Sequence, residues 1–227
     1  GQRAKASAER IYEILDEPPA VDDRHDAVDL FPLGGSISFS DVSFAYGTEA
    51  VGGSQGNEKA PLVLNNFNLD VLPGETIAIV GRTGSGKSTI ARLLMRFYEL
   101  QGGSISLDGH DIRSVTQTSL RSAISLVPDE PFLFSTSVHE NISYGKPGAS
   151  REEVEAAARA AQAHEFIVGL DDGYDTVVGE RGYDLSGGQR QRISLARLFL
   201  SDPSVIILDD STSAIDVEIE ERIHRSL

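Results

Sequence analysis

Alternating apolar and polar residues predict β-strands in the first half of the chain. Apolar side chains alternate with polar ones over residues 36–46, and residues 62–71 continue the same character. This period of two is typical of half-buried strands, because successive side chains point to opposite faces of a sheet. Shorter apolar runs predict further strands at residues 76–80, 104–107 and 124–127.

The character of the sequence then changes from strand to helix. Ser150 and Glu153 have the spacing of a capping box, and the Ala-rich helix that follows is predicted to extend to Ala163. Residues 205–208 form a short apolar run that suits a parallel strand buried on both faces. Strands, a helical block and one more strand predict an α/β core interrupted by a helical lobe near residues 131–190.

Composition narrows the possible function classes. The chain has 227 residues, enough for a full hydrophobic core, and 20 Lys and Arg against 35 Asp and Glu give a net charge of −15. This acidic balance argues against a nucleic-acid-binding surface. Cysteine is absent, which excludes disulfides, thiolate zinc sites and a Cys nucleophile. No apolar run approaches the ~18 residues of a membrane-spanning helix.

A phosphate-binding loop is predicted at residues 81–89, where the sequence GRTGSGKST fits the pattern G-x-x-x-x-G-K-[ST]. The loop lies between the predicted strand 76–80 and a helical pattern at 90–98, so backbone N–H groups and a helix N-terminus can surround a phosphate. A purely structural Gly-rich turn is the alternative. We expect Lys87 to reach the β- and γ-phosphates and Ser88 to ligate Mg²⁺. The predicted nucleotide-binding residues of this loop are Gly81, Thr83, Gly84, Ser85, Gly86, Lys87, Ser88 and Thr89.

Two carboxylates follow the apolar run at 205–208. Asp209 and Asp210 stand at its C-terminal end, the edge at which open α/β sheets bind ligands. We expect Asp209 to hold Mg²⁺, directly or through water. An apolar strand that ends in Asp is a weak signal alone, but it becomes a strong one after a phosphate-binding loop.

A second motif, Leu-Ser-Gly-Gly-Gln at residues 185–189, ends twenty residues before Asp209. A Ser hydroxyl and Gly amides at a helix start form a second phosphate-binding surface, and a purely structural Gly-Gly turn is the alternative. With this motif the chain resembles ATP-binding cassette (ABC) proteins over essentially its full length. The resemblance implies a head-to-tail dimer, in which this surface faces the nucleotide held by the other cassette. It implies these nucleotide contacts: Ser186, Gly187, Gly188 and Gln189.

Further segments look like those of an exporter. Tyr46 stands where family members stack an aromatic ring on adenine, although an ordinary edge-strand Tyr is the alternative. Glu180, within residues 178–182, resembles the X-loop that contacts transmembrane coupling helices; a solvated charged turn is the alternative. Residues 213–216 resemble the D-loop of the dimer seam, and residues 7–15 look like the segment that leaves the last transmembrane helix of a multidrug or lipid exporter.

The resemblance implies an α/β fold: a P-loop NTPase (RecA-like) core with an antiparallel β subdomain and an inserted helical subdomain. Residues 1–24 would form the linker and helix after the last transmembrane helix. The core would comprise 25–130 and 191–227, and the helical subdomain 131–190. Both ends look cut from something larger, with the C-terminal part of the fold missing, so we expect the isolated chain to be a poor ATPase.

The resemblance also implies ATP and Mg²⁺ as cofactors and a place on the cytoplasmic face of a membrane. The partners would be a second nucleotide-binding domain, possibly non-identical, and transmembrane coupling helices at the Glu180 region. No nucleic acid is expected. The chain would be the motor domain of an exporter that hydrolyses ATP.

Departures from the family pattern concern the catalytic residues. Asp210 replaces the catalytic Glu, and the side chain is one methylene shorter, which withdraws the carboxylate by ~1 Å and can cost about 10²-fold in rate. Asp129 replaces the Q-loop Gln: it keeps an oxygen for the metal but loses the amide donor, and a harmless substitution is the alternative. The switch His lies beyond the D-loop in the family, and His224 comes too early to take that place.

These residues predict an unequal pair of ATP sites. Asp210 and Asp129 are the predicted catalytic positions, and Ser88, Asp129 and Asp209 the predicted metal ligands. We expect the chain's own site to be degenerate and slow, while its intact Ser-Gly-Gly motif completes a partner's competent site.

Other interpretations of the same residues are an ordinary symmetric exporter cassette and a non-hydrolysing, ATP-gated interaction module. A third is a soluble DNA-repair or chromosome-organising ABC ATPase. It is disfavoured because Lys87 and Ser186 are separated by 99 positions without heptads, whereas those proteins insert long coiled coils there.

Overall fold

The computed structural model describes residues 12, 21–31, 34–47, 60–128, 131–179 and 184–208. The elements within them are β1 (Ile37–Phe44), β2 (Leu64–Val71), α1 (Lys87–Leu94), β3 (Gly102–Leu107), β4 (His110–Asp111), α2 (Gln117–Ala123), β5 (Ile124–Val127), α3 (Val138–Ser143), α4 (Arg151–Ala160), α5 (His164–Val168), a 3-10 helix (Gly173–Asp175), α6 (Gly187–Ser201) and β6 (Val205–Leu208).

Several predictions concern positions outside the described residues and stay predictions. These positions are Asp129, Glu180, Asp209, Asp210, His224, residues 213–216 and all of residues 7–15 except Tyr12.

The alternating segments form one antiparallel sheet, as the sequence pattern predicts. Its strand order is β2-β1-β3-β4, and β1 pairs with both neighbours. Phe39, Val42 and Phe44 on β1 are buried together with Ile105 and Leu107 on β3. Burial of one face of the alternating pattern stabilises the sheet and fixes its register.

A bulge in β1 depends on one glycine of β3. The pairing register between the two strands shifts between Ser40 and Ser43, opposite the start of β3. Gly103 lies there with φ +80°, and an added Cβ would overlap the carbonyl oxygens of Ser40 and Asp41. Only glycine fits, because L side chains disfavour this backbone region and backbone atoms occupy the space a side chain needs.

A second, parallel sheet joins β5 to β6, which confirms the strands expected at 124–127 and 205–208. Ile124 pairs with Val205, and Val127 pairs with Leu208. Parallel strands need a long crossover, and the chain between these two strands forms the helical layer.

The strand predicted at residues 76–80 is wrong as far as the described residues go. This stretch belongs to no sheet in that part of the chain. Ile77, Ile79 and Val80 are 38%, 43% and 89% exposed. An apolar run indicates a capacity to be buried, but a strand also needs a hydrogen-bonding partner, and no strand in the described residues provides one.

The helical block of the sequence forms a layer built on α6. Helices α3 and α4 both pack against it. The predicted capping box of Ser150 and Glu153 is present, and the Ala-rich helix α4 ends at Ala160, three residues before the predicted end. Ala157 and Ala158 face the buried side, where small side chains permit close helix packing. Among the described helices, none has the length and apolarity to cross a membrane.

Two hydrophobic clusters meet at the parallel sheet. Val127 belongs to the cluster of the helical layer, whereas Ile124 and Val205 belong to the cluster beneath the antiparallel sheet. Helix α6 contributes Ile193 and Leu195 to the helical cluster. The subdomain boundaries predicted at 131 and 190 stay predictions.

The bulge provides a stability test with a matched control. Gly103→Ala should lower the free energy of unfolding by the ~1–2 kcal/mol of a left-handed non-glycine residue plus ~1–3 kcal/mol of steric overlap. Gly109 has a similar φ of +77° but open space around its Cα. Gly109→Ala should therefore lower the free energy of unfolding only by the ~1–2 kcal/mol of a left-handed non-glycine residue. Urea denaturation of both variants measures the difference, and equal losses would contradict the role given to the overlap.

Candidate nucleotide-binding site

The predicted phosphate-binding loop leads directly into α1, and Gly86 forms the junction. Gly86 is the N-cap of α1, with φ 94° and ψ 6°. A Cβ at this position would lie 3.1 Å from Leu64 Cδ2 and 3.3 Å from Val63 Cγ1. The glycine therefore permits the left-handed turn and lets the loop pack against the start of β2.

The first turn of α1 keeps its backbone donors available. No side chain caps this helix, and residues 81–85 are exposed. The first four N–H groups of a helix have no partner within the helix, and together with the helix dipole they attract an anion. Uncapped and exposed amides of this kind fit the phosphates of a nucleotide.

Lys87 lies over the loop that it follows. Its Nζ donates hydrogen bonds to the carbonyl oxygens of Gly81 at 2.8 Å and Arg82 at 3.2 Å. The ammonium group is thus held at the mouth of the loop by exposed carbonyl oxygens. Ser88 beside it is exposed, so a charge and a hydroxyl are presented at adjacent positions, as phosphate and Mg²⁺ binding requires.

Tyr46 is placed at the same helix. Its hydroxyl lies 3.0 Å from Thr89 Oγ1, and Thr89 is 5% exposed. The structure therefore brings the predicted base-contacting ring to the predicted phosphate loop, although the two are 43 positions apart in sequence.

The second predicted phosphate-binding surface is the start of α6. Ser186 is the N-cap of this helix: its Oγ accepts from the Gln189 N–H at 3.3 Å, and its own N–H donates to Gln189 Oε1 at 2.8 Å. Gly187 and Gly188 are exposed in the first turn. The capping box of Ser186 and Gln189 was not predicted from the sequence, although a Gln three positions after a Ser is the spacing of such a box.

The predicted acidic residues follow the two parallel strands. Val127 and Leu208 are paired in register, and Asp129 and Asp209 come two residues and one residue after them in sequence. Because parallel strands end at the same edge, Val127 and Leu208 lie side by side at one edge of this sheet. Within the described residues no group of three or more metal-binding side chains occurs.

An exposed aromatic patch, formed by Phe132, Phe134 and Tyr144, was not predicted from the sequence. Phe134 stacks on Tyr144 with ring centroids 4.4 Å apart and meets Phe132 edge-on at 5.1 Å. Phe132 is 50% and Tyr144 59% exposed. Arg197 lies beside the patch, and desolvation by burial lowers its pKa. The available signal was limited to Phe132 and Phe134, two aromatic residues close together after Pro131.

The α/β fold, the glycine-rich loop before α1 and the strand that ends at Leu208 define a P-loop nucleotide-binding domain. The family model described as ABC transporter matches residues 64–213. The chain belongs to the ABC transporter family, whose domains of this kind bind ATP.

Relatives of known name agree with this assignment. The chain is 46% identical over 226 residues to an ATP-dependent lipid A-core flippase of Desulfotalea psychrophila, covering 100% of this chain and 37% of the flippase. It is 46% identical over 219 residues to ATP-binding cassette sub-family B member 6 of Xenopus tropicalis, covering 96% of this chain and 24% of that protein.

A solved structure has the same fold. A bacterial Atm1-family ABC exporter with ATP bound superposes with a TM-score of 0.86 at 40% identity, covering 99% of this chain and 37% of the exporter chain. The chain therefore spans little more than a third of the exporter, and is the counterpart of its nucleotide-binding domain.

The position of Lys87 generates a binding prediction. Lys87→Ala should weaken ATP binding roughly tenfold to a hundredfold, because hydrogen bonds to a charged group are worth about 1.5–3 kcal/mol. Lys146→Ala removes an exposed lysine paired with Glu153 and should leave ATP affinity unchanged. Isothermal titration calorimetry with ATP measures both, and an unchanged affinity in Lys87→Ala would refute the assignment of the loop.

Proposed function

We propose that this chain is the ATP-driven motor domain of an exporter, on the cytoplasmic face of a membrane. Its family membership and its likeness to proteins named flippase and exporter support this. ATP would join it head-to-tail to a second nucleotide-binding domain, and the closure of that pair would move a transmembrane domain.

The chain's own residues fit ATP at the loop before α1. The amides of residues 81–89 and the ammonium of Lys87 would hold the triphosphate, and Tyr46 would stack on the base. Lys87 would exchange the carbonyl oxygens of Gly81 and Arg82 for phosphate oxygens, which carry more negative charge.

Mg²⁺ fits the same place by the chemistry of its donors. Ser88, Asp209 and Asp129 would supply oxygen ligands, which this hard cation prefers. When bound, the ion would neutralise charge on the phosphates. The parallel pairing of Val127 with Leu208 supports a common location for the two carboxylates.

The unequal-site proposal rests on two observations: the residue type at position 210 and the helix start at Ser186. Asp210 stands where the family has Glu, so its carboxylate would reach less far towards the attacking water. Ser186, Gly187 and Gly188, in contrast, begin a well-formed and exposed helix turn.

The aromatic patch and the Glu180 region together would contact the transmembrane domain. Residues just before Glu180 are hydrogen-bonded to the segment that follows Phe134: the Val178 N–H donates to the Thr136 carbonyl at 2.9 Å, and the Val138 N–H donates to the Thr176 carbonyl at 3.0 Å. A contiguous exposed apolar patch is typical of a protein contact surface. The partner would contribute apolar side chains from a short helix.

The unequal-site proposal is tested by Mg-ATP hydrolysis of the full-length parent assembly. Ser186→Arg should reduce turnover at least about 10²-fold, since it removes a polar contact from the competent site and adds bulk. Asp210→Asn should leave most of the activity, because the chain's own site contributes little. Ser150→Arg is the matched control: Ser150 caps α4 with the same capping box, so this change costs about 1 kcal/mol of stability without touching a nucleotide.

Loss of turnover in both Ser186→Arg and Asp210→Asn would make Asp210 a working catalytic residue and favour the symmetric cassette. An assembly without steady turnover that still dimerises with ATP would favour the ATP-gated interaction module.

The proposed transmembrane contact is tested by Tyr144→Ser in the same assembly. Loss of a central aromatic contact should lower substrate-stimulated ATPase activity at least about fivefold while ATP affinity stays unchanged. Val168→Ser, which changes an equally exposed apolar residue on α5, should have no effect. Equal stimulation of the wild type and Tyr144→Ser would remove the patch from the contact surface.

A further inference from the structure

Two aromatic rings, those of Phe44 and Tyr98, flank the proposed base contact, Tyr46. Tyr46 meets Phe44 at 4.9 Å with an interplanar angle of 85°, and it meets Tyr98 at 5.2 Å with an angle of 87°. Phe44 and Tyr98 are also in contact, at 5.6 Å. Both neighbours of Tyr46 are perpendicular to it, an arrangement that aromatic quadrupoles favour. The orientation of the Tyr46 ring is therefore set from two sides.

The hydroxyl and the backbone of this segment are fixed as well. The Tyr46 hydroxyl shares a hydrogen bond of 3.0 Å with Thr89 Oγ1. Immediately before Tyr46, the Ala45 N–H donates to Gln101 Oε1 at 2.7 Å, and Gln101 Nε2 donates to the Ala45 carbonyl at 3.1 Å. A side-chain amide that pairs with both backbone groups of one residue holds that residue as a strand partner would.

Apart from Phe44 on β1, these supports come from one stretch of chain. Thr89 is in α1, and Tyr98 and Gln101 lie in the segment that joins α1 to β3. Helix α1, whose first turn belongs to the proposed phosphate site, and the segment after α1 thus hold Tyr46, the residue proposed to contact the base. A ring fixed before binding loses less conformational entropy when a ligand stacks on it.

We infer that Thr89, Tyr98 and Gln101 are positioning residues for the base of a nucleoside triphosphate: they hold the Tyr46 ring in its stacking orientation and couple the base contact to the phosphate loop. This rests on the proposed function, in which Tyr46 stacks on adenine. Its distinct consequence is that part of the ATP affinity depends on residues that need not touch the base.

The test compares ATP with inorganic tripolyphosphate, which occupies a phosphate site but has no base. Dissociation constants are measured by calorimetry with Mg²⁺ for the wild type, Tyr46→Phe and Tyr98→Leu. Tyr46→Phe keeps the ring and removes only the bond to Thr89. Both variants should bind ATP roughly threefold to tenfold more weakly, a fraction of the value of a base stack. Their tripolyphosphate affinity should equal that of the wild type, which also reports an intact loop.

Phe97→Leu is the matched control, because Phe97 precedes Tyr98 but is 42% exposed and contacts Arg121 instead. It should change neither affinity. ATP binding as in the wild type by Tyr46→Phe and Tyr98→Leu would overturn the inference, and so would an equal loss for ATP and tripolyphosphate.

Tyr46→Ala separates this inference from the proposed base contact. If Tyr46→Ala weakens ATP binding but Tyr46→Phe and Tyr98→Leu do not, only the positioning role fails. If Tyr46→Ala itself binds ATP as the wild type does, the proposed stacking on adenine fails, and the positioning role fails with it.

Discussion

The parallel pairing of β5 with β6 is the constraint on which the rest of the structure depends. It pairs Val127 with Leu208, which the helices of the helical layer separate in sequence. The two hydrophobic clusters also meet at this sheet. Because parallel strands end at one edge, the same pairing places Val127 and Leu208 side by side, shortly before the proposed metal ligands Asp129 and Asp209 in sequence. One ladder of hydrogen bonds therefore joins the two hydrophobic clusters.

Helices α1 and α6 differ in whether a side chain caps their first turn, and the difference matches their proposed roles. At α6, Ser186 and Gln189 satisfy each other, as Ser150 and Glu153 do at α4. At α1 the N-cap is Gly86 and no side chain caps the helix. A capped helix start is stable without a ligand, whereas the uncapped amides of α1 gain their best partners from an anion. The uncapped start of α1 is suited to hold the chain's own nucleotide, and the capped and exposed start of α6 to meet one presented by another domain.

Much of the fold and of the candidate site could be predicted from the sequence. The same physical reasons explain why the strand at 76–80 was predicted wrongly and why some contacts were not predicted. Alternation predicted β1 and β2 because burial of one face of a sheet imposes a period of two, and the loop at 81–89 was predicted because few residues fit a phosphate turn. Residues 76–80 were assigned a strand from apolar composition, which carries no information about a partner. The contact of Tyr46 with Thr89 and the stacking of Phe134 on Tyr144 arise from tertiary packing. No local pattern in a single sequence encodes such contacts.

In the proposed function, Asp129 and Asp210 would act on different steps. Asp129 in place of Gln would add a negative charge beside the triphosphate, in a chain whose net charge is already −15. Such a charge would repel free ATP but attract Mg²⁺, so occupancy of the site would depend more on the metal. Asp210 would keep the charge of the usual Glu and withdraw it from the attacking water, which would slow hydrolysis more than it would weaken binding. Together they would favour a nucleotide that enters with Mg²⁺ and stays, and a long-lived ATP would keep two domains joined while a faster site turns over.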